Sequence, residues 1–307
     1  MASTAEPLPV LSGLPLYSAD LAAKQRLAQQ VKQACETFGF FYLQDLPVTA
    51  TQVQAIFRQT QRFFQLPEQT KLQLLRDPTT NCGYVPIETE HLDNHRPADL
   101  KEALNIGQAT DWSTGLASFR IPIDPFYQVC LQQIAYPLLQ AFALALELPP
   151  SFLVDRHGQN FFLRLLHYPA LAKPALTDQL RAGAHTDYGT MTLLFQDSAG
   201  GLEILTRAGV WLPVPSRSNA VLVNIGDALQ RWSNQRLRST PHRVVLPPYP
   251  EQERYSIALF CDPDPEVEIA CLPNCQSPDD PPKYPPIRFK EYLQSRFDAS
   301  YHSNTTD

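Results

Sequence analysis

Between residues 161 and 260 the chain carries six short β-rich runs, at 161–168, 190–195, 201–205, 220–225, 243–246 and 255–260, parted by Gly, Pro or Asn. β-Branched and aromatic residues fit a pleated, half-buried surface, and Gly, Pro and Asn mark the turns between such runs. The spacing suits antiparallel strands in a sandwich or barrel, not βαβ units. Proline sharpens the constraint. There are 29 in 307 residues, clustered at 246–250 and 263–286. Without a backbone donor, proline is kept out of helix interiors and central strands, so these stretches are expected to wrap a core as loops or edges.

The N-terminal half is patterned differently. Residues 18–38 read as an amphipathic helix with Leu21, Leu27, Val31 and Cys35 on one face and Ser18 or Asp20 as cap. A short aromatic strand at 40–43 follows Gly39; helices are expected at about 51–64, behind a Thr cap, and at 67–75, opened by Pro67. Residues 76–123 read as polar and mostly irregular, with Tyr84, Lys101 and Asn105 turned inward. A long apolar helix is expected from Asp124–Pro125 to Leu148, and a last helix over 286–298. The class is mixed α+β, with helices flanking a β core.

Several function classes lose support from bulk properties. Lys plus Arg number 25 against 31 Asp plus Glu, a net charge of −6, and the pI is about 5.7, so neither nucleic acid nor an anionic membrane surface is expected as partner. Of six cysteines only Cys271 and Cys275 lie close, without a second pair to complete a zinc-ribbon spacing. The first twenty residues lack a basic segment followed by an apolar run, and no stretch approaches the roughly 18 apolar residues of a membrane span. A cytoplasmic monomer acting on a small molecule is the expectation.

The chemistry gathers in RAGAHTDYGTMTLLFQD, residues 181–197. In an extended segment His185 and Asp187, one residue apart, point to the same face. A lone His-x-Asp is common and by itself reads as a solvated loop pair. His242, in RSTPHRVV at the start of another β run, supplies a second imidazole. Two imidazoles and a carboxylate are the facial set that suits non-haem Fe(II) with positions left open. In RYSIALF, Arg254 and Ser256 share a face with Ala258, Phe260 and, beyond them, Asp262. A guanidinium inside a barrel needs an anion, either a bound carboxylate gripped by its planar fork or a core Asp or Glu. Upstream, Tyr168 shares a face with Leu166, Arg164 and Phe162; Tyr168 can offer a phenol to a carboxylate and Arg164 can meet substrate, though both serve equally as packing or surface residues.

In this order HTD, PHRVV and RYSIALF, preceded by RLLHYP, resemble the isopenicillin N synthase-like branch of the Fe(II)/2-oxoglutarate-dependent dioxygenases. GFFYLQDLPV, RPADLKEALNIG and VLVNIGDALQRWSN extend the likeness over about residues 8–298. The resemblance implies a double-stranded β-helix (jelly-roll) core over 159–265. Around it would lie an N-terminal region over 1–110, a support helix and connector over 111–158, and a Pro-rich wrap, helix and tail over 266–307. It further implies Fe(II) on His185, Asp187 and His242, with the distal carboxylate of 2-oxoglutarate on Arg254 and Ser256, helped by Tyr168. The positions of Arg164, Phe260 and Asp262 touch substrate in flavonoid-oxidising relatives, and Tyr84 joins them as a pocket candidate. Two departures stand out: Leu166 where many plant members have Asn, and QDLPV where they have NHGV.

The reaction implied consumes O₂ and 2-oxoglutarate, releases succinate and CO₂, and oxidises a substrate C–H, with hydroxylation as the default. Three alternatives stay open at this stage. They are a 2-oxoglutarate-independent oxidase on the same scaffold, a zinc hydrolase using the same ligands, and a non-catalytic binding module.

Overall fold

A computed structural model describes residues 7–108, 110, 117–158, 160–171, 173–249 and 251–301. Two sheets face each other. The larger has the order β1-β2-β10-β7-β12-β5-β4-β3, where β1 is Val10–Ser12, β2 Phe40–Gln44, β3 Gly83–Val85, β4 Glu102–Ile106, β5 Phe161–Tyr168, β7 Met191–Gln196, β10 Ala220–Ile225 and β12 Arg254–Cys261. The smaller runs β6-β11-β8-β9, with β6 Ala182–His185, β8 Leu202–Leu205, β9 Trp211–Pro213 and β11 His242–Val244. Strands β5 to β12 are thus dealt between two antiparallel sheets, which is the jelly-roll expected. A two-stranded ribbon, β13 (Glu268–Ile269) with β14 (Ile287–Arg288), belongs to the C-terminal wrap.

The large sheet is buried on both faces, so its strands are apolar on both. One face, with Phe41, Leu163, Leu193, Val223 and Ile257, packs on α1 (Leu21–Thr37), α2 (Ala50–Phe64), α4 (Ala117–Cys130) and α5 (Tyr136–Ala145). The other, with Phe40, Tyr42, Leu166, Tyr168 and Ala258, meets Ala182, Ile204 and Val244 of the small sheet. That inner layer houses the site.

Helix starts follow cap chemistry. Asp20 accepts from the Ala22 amide at 2.8 Å. For α2 the cap is Thr49, not a threonine at 51, because Gln52 at the third helical position closes a capping box back to it. Helix α3 is a single turn, Glu68–Leu72, shorter than 67–75.

Two expectations need amendment. Residues 76–123 are mostly irregular, as expected, but not wholly so: β3 and β4 lie there and extend the large sheet beyond β5. The sequence disguises β4 because Glu102 sits in it, a carboxylate that belongs in a core only when paired. It is paired: Lys71 Nζ at 2.6 Å, Tyr84 Oη at 2.5 Å and His167 Nδ1 at 2.7 Å all reach it. Nor does the long helix begin at Asp124. It starts by Ala117, carries Pro122 and Pro125 within α4, passes through a π turn at Leu131–Ala135 and ends at Ala145. Pro125 reads as a start signal because proline favours the first turn, but the flanking helix tolerates it here.

His157 is fully buried outside the inner layer, just after α6 (Ser151–Val154). It bonds Leu153 O through Nδ1 at 2.6 Å and Thr190 Oγ1 through Nε2 at 2.7 Å. Burial pushes its pKa down to about 4 against weaker raising contributions from Leu153 and Asp264. A histidine held neutral in the fold binds its proton more readily when unfolded. Its contribution is therefore complete above the ordinary value near 6.5 and lost as pH falls toward 4, a swing of about 3 kcal/mol. Denaturant unfolding between pH 7 and 4 is expected to show that loss, and His157→Gln to flatten that limb. An unchanged slope in the variant would reject the assignment.

Candidate metal centre and cosubstrate cavity

The small sheet brings the two histidines together. His242 on β11 pairs directly with His185 on β6, and their ring centroids lie 4.3 Å apart. Asp187 follows β6 by two residues, and its Oδ1 is 4.0 Å from His185 Nε2 and 3.7 Å from His242 Nε2. One ligand atom from each of the three lies within 4.8 Å of the others. Close packing of β6 demands Gly183, since a Cβ there would stand 2.9 Å from the Asp93 backbone nitrogen.

Hydrogen bonds fix which atoms face inward. His185 Nδ1 lies 2.8 Å from Gly183 O and His242 Nδ1 3.2 Å from Thr240 O. A carbonyl only accepts, so each Nδ1 carries the proton and each Nε2 presents a lone pair to the shared point. Asp187 Oδ2 accepts from Thr192 Oγ1 at 2.5 Å and Asn224 Nδ2 at 2.7 Å, which leaves Oδ1 to the centre. Burial opposes ionising Asp187, but the two histidines and these two donors outweigh it and hold the carboxyl below its ordinary range. Burial, then the neighbouring His242, holds His185 neutral. Two imidazoles with Nε2 turned inward and one carboxylate, each anchored on its far side, match the donor set for ferrous iron.

Beside the triad, on the large sheet, lies Arg254, only 1% exposed. Among the described residues its nitrogens bond uncharged acceptors alone: Gly200 O at 2.9 Å, Ser256 Oγ at 3.2 Å and Gln196 Oε1 at 3.0 Å. The guanidinium rests 4.6 Å above the ring of Tyr168, its cross-strand partner on β5. Ser256, accepting from Arg254, keeps its own proton to donate. The internal ion pair considered for this arginine is not seen among the described residues.

Triad and arginine line one cavity of about 150 Å³. Arg164, Phe260 and Asp262 line it too; Phe260 pairs with Phe162 across β12 and β5. Tyr84 does not. It is buried on the helix-facing side of the sheet, bonded to Glu102, while the adjacent Val85 faces the inner layer.

Two family models match this chain, the 2OG-Fe(II) oxygenase superfamily over residues 159–263 and the non-haem dioxygenase N-terminal region over 8–119. A 2-oxoglutarate-Fe(II) type oxidoreductase, hxnY of Emericella nidulans, is 33% identical over 98% of this chain and 92% of its own. The chain belongs to the 2-oxoglutarate- and Fe(II)-dependent oxygenases. A proline hydroxylase, buaE of Petromyces alliaceus, is 35% identical over 91% of this chain and 94% of its own. Among solved structures, a full-length Neurospora crassa protein in complex with α-ketoglutarate superposes with a TM-score of 0.84 at 31% identity, covering 94% of this chain and 95% of that one. The same protein with α-ketoglutarate and thymine gives 0.83 at 31%, covering 95% and 96%.

This dioxygenase is therefore an oxidoreductase that uses Fe(II), 2-oxoglutarate and O₂. Among the described residues, no helix is long and apolar enough to cross a membrane. Sequence reasoning passed over several cavity residues. Glu90 bonds Arg164 Nη2 at 2.6 Å and lies 3.1 Å from Lys101 Nζ, which also bonds Asp99. Asp99 in turn accepts from the Gly183 amide at 2.8 Å, tying this group to the strand that ends in His185. Tyr188, and Leu293 and Phe297 from α8 (Phe289–Tyr301), complete the wall. Asp262 is buried without a side-chain hydrogen bond among the described residues; burial, and then the charge of Asp187, raise its pKa to about 8. Gly189 makes room for it, since a Cβ there would fall 1.9 Å from Asp262 Oδ1.

Proposed function

We propose that this dioxygenase hydroxylates a small, polar, uncharged ring compound, with Fe(II) on His185, Asp187 and His242 and the distal carboxylate of 2-oxoglutarate on Arg254 and Ser256. The observation that carries the reading is Arg254, a buried guanidinium that opens on the same cavity as the triad and has uncharged partners alone among the described residues. A buried charge is stable only when compensated, and a carboxylate in the cavity supplies the compensation. Tyr168 flattens one side of the slot, and Leu166, standing where many plant members have Asn, makes that side apolar. Iron and 2-oxoglutarate, when bound, supply the oxidising power, with succinate and CO₂ as coproducts and one oxygen atom delivered to substrate carbon.

The charges at the far end of the cavity offset one another. Lys101 is matched by Asp99 and Glu90, and Arg164 by Glu90, while burial holds the Asp262 carboxyl well above the usual carboxylate range. Such an end offers donors and acceptors without net attraction for an ion. Phe162, Phe260 and Tyr188 add flat apolar walls. The Neurospora crassa protein was solved with thymine, and buaE is named for proline; both are small rings with polar groups. The test is succinate release, with mass analysis of product, across a panel of free nitrogen heterocycles, cyclic amino acids and aromatic carboxylates. Stimulation by the neutral heterocycles and a product heavier by one oxygen are expected; stimulation by the carboxylates alone would overturn the class.

Asp262→Ala removes a carboxyl that faces the cavity and has no side-chain hydrogen bond among the described residues, leaving it to a bound molecule. Its apparent KM for substrate should rise about tenfold, with kcat at saturation changed less. An unaltered KM would remove Asp262 from the pocket.

A further inference from the structure

The segment VLVNIGDALQRWSN holds an aspartate that the reaction itself does not use. Asp227 opens α7 (Asp227–Trp232) and is buried directly behind the metal-ligand turn. Its amide donates to Asp187 O at 2.8 Å, and the next amide, of Ala228, reaches Tyr188 O at 3.2 Å and Gly189 O at 3.1 Å. Its carboxylate Oδ2 accepts from Thr186 Oγ1 at 3.1 Å, the side chain between the two ligands His185 and Asp187. The same oxygen accepts from Tyr292 Oη at 2.5 Å. One atom therefore joins the ligand turn to α8.

Helix α8 is also a wall of the cavity. Leu293 and Phe297, four residues apart on one helical face, line it, and Tyr292 is the neighbour of the first. The helix is rooted by Phe289, fully buried in the main core, with Tyr292 and Leu293 packed against that core. Beyond them its contacts are side-on: Phe297 to Tyr188 at 6.3 Å, Arg296 over Tyr188 at 5.0 Å, Arg76 over Phe297 at 5.9 Å and Asn94 Nδ2 to Ala299 O at 2.9 Å. Side-on contacts define a position without the interlocking of a central core helix, so the stretch of α8 after its rooted first turn is a segment whose seating can respond to what fills the cavity.

We infer that Asp227 and Tyr292 are positioning residues that couple the seating of α8 to the backbone between His185 and Asp187. When α8 is seated, Tyr292 and Thr186 share Asp227 and the turn is clamped from side chain and backbone together. When α8 lifts, the carboxylate loses the donor that fixes its orientation, and Thr186 loses a firmly placed acceptor. Material that packs on Leu293 and Phe297 thereby tightens the ligand turn, and ligands on the turn tighten α8 in equal measure, because coupling between two sites is reciprocal. The inference rests on the metal and 2-oxoglutarate assignment above.

Reciprocity makes it testable without knowing the substrate. The probes are Fe(II) with 2-oxoglutarate, added anaerobically; the readouts are hydrogen–deuterium exchange of the α8 amides and the visible charge-transfer band of the bound pair. In the native protein the pair should slow exchange over Tyr292–Phe297 by at least about fivefold. Tyr292→Phe and Thr186→Val should each cut the slowing to less than about twofold while the band still forms. Thr186→Val preserves volume and decides the matter if Tyr292→Phe fails to fold. Equal slowing in the variants, or none in the native protein although the band is present, would overturn the coupling. Absence of the band from the native protein strikes the iron and 2-oxoglutarate reading itself, and the coupling falls with it.

Discussion

Asp187→Ala is expected to leave a folded protein that neither retains Fe(II) nor releases succinate. Asp187 is the one anionic donor in the cluster; the other two are imidazoles held with Nε2 inward by Gly183 O and Thr240 O. Losing a group that merely supports a ligand costs about 10–100-fold in metal affinity or activity, so losing the proposed charged ligand should exceed that range. The substitution also strands the Thr192 hydroxyl and the Asn224 amide that point at Oδ2. Asp187→Asn separates the two effects, because it keeps an acceptor for one of them while removing the charge. Anaerobic Fe(II) titration and succinate release measure the outcome. Near-native iron content together with near-native turnover in Asp187→Ala would dismantle the triad.

The triad was legible because its parts are local or repeat a simple period. An i, i+2 pair in an extended run shares a face, and Arg254 with Ser256 obeys the same rule on β12. What the sequence does not carry is the meeting of β6 with β11, which sets His185 against His242 across 57 residues. The jelly-roll pairing does that, and local pattern is blind to it. The polar half of the cavity was hidden for a related reason. Glu90 and Asp99 lie in a stretch without periodicity, and each looks like a solvated loop residue until Lys101, expected to turn inward, pairs with it. Tyr84 illustrates the hazard of a strand too short to show its phase. It does turn inward, but in Gly83–Val85 a shift of one residue exchanges the faces, so Val85 takes the inner layer and Tyr84 the helix side.

Arg254→Ala is expected to raise the apparent KM for 2-oxoglutarate roughly ten- to 150-fold, the equivalent of about 1.5–3 kcal/mol for a hydrogen bond to a charged group. The rate at saturating 2-oxoglutarate should fall far less, since the proposed contact of the arginine is with the end of the cosubstrate remote from the metal. Arg254→Lys should recover only part of the affinity, because an ammonium on a flexible stem cannot reproduce a planar fork. The variants also discriminate this role from a structural one. A guanidinium that served the fold would be missed most in the empty protein, through its bonds to Gly200 and Gln196. One that serves a bound carboxylate is costly to bury while the cavity is empty, so its removal should change the unliganded melting temperature little and abolish the stabilisation that added 2-oxoglutarate confers. Thermal unfolding of both proteins with and without 2-oxoglutarate, beside steady-state succinate kinetics, reads the two effects separately. An unchanged KM with a large drop in unliganded stability would return Arg254 to the scaffold and leave the cosubstrate to be held elsewhere.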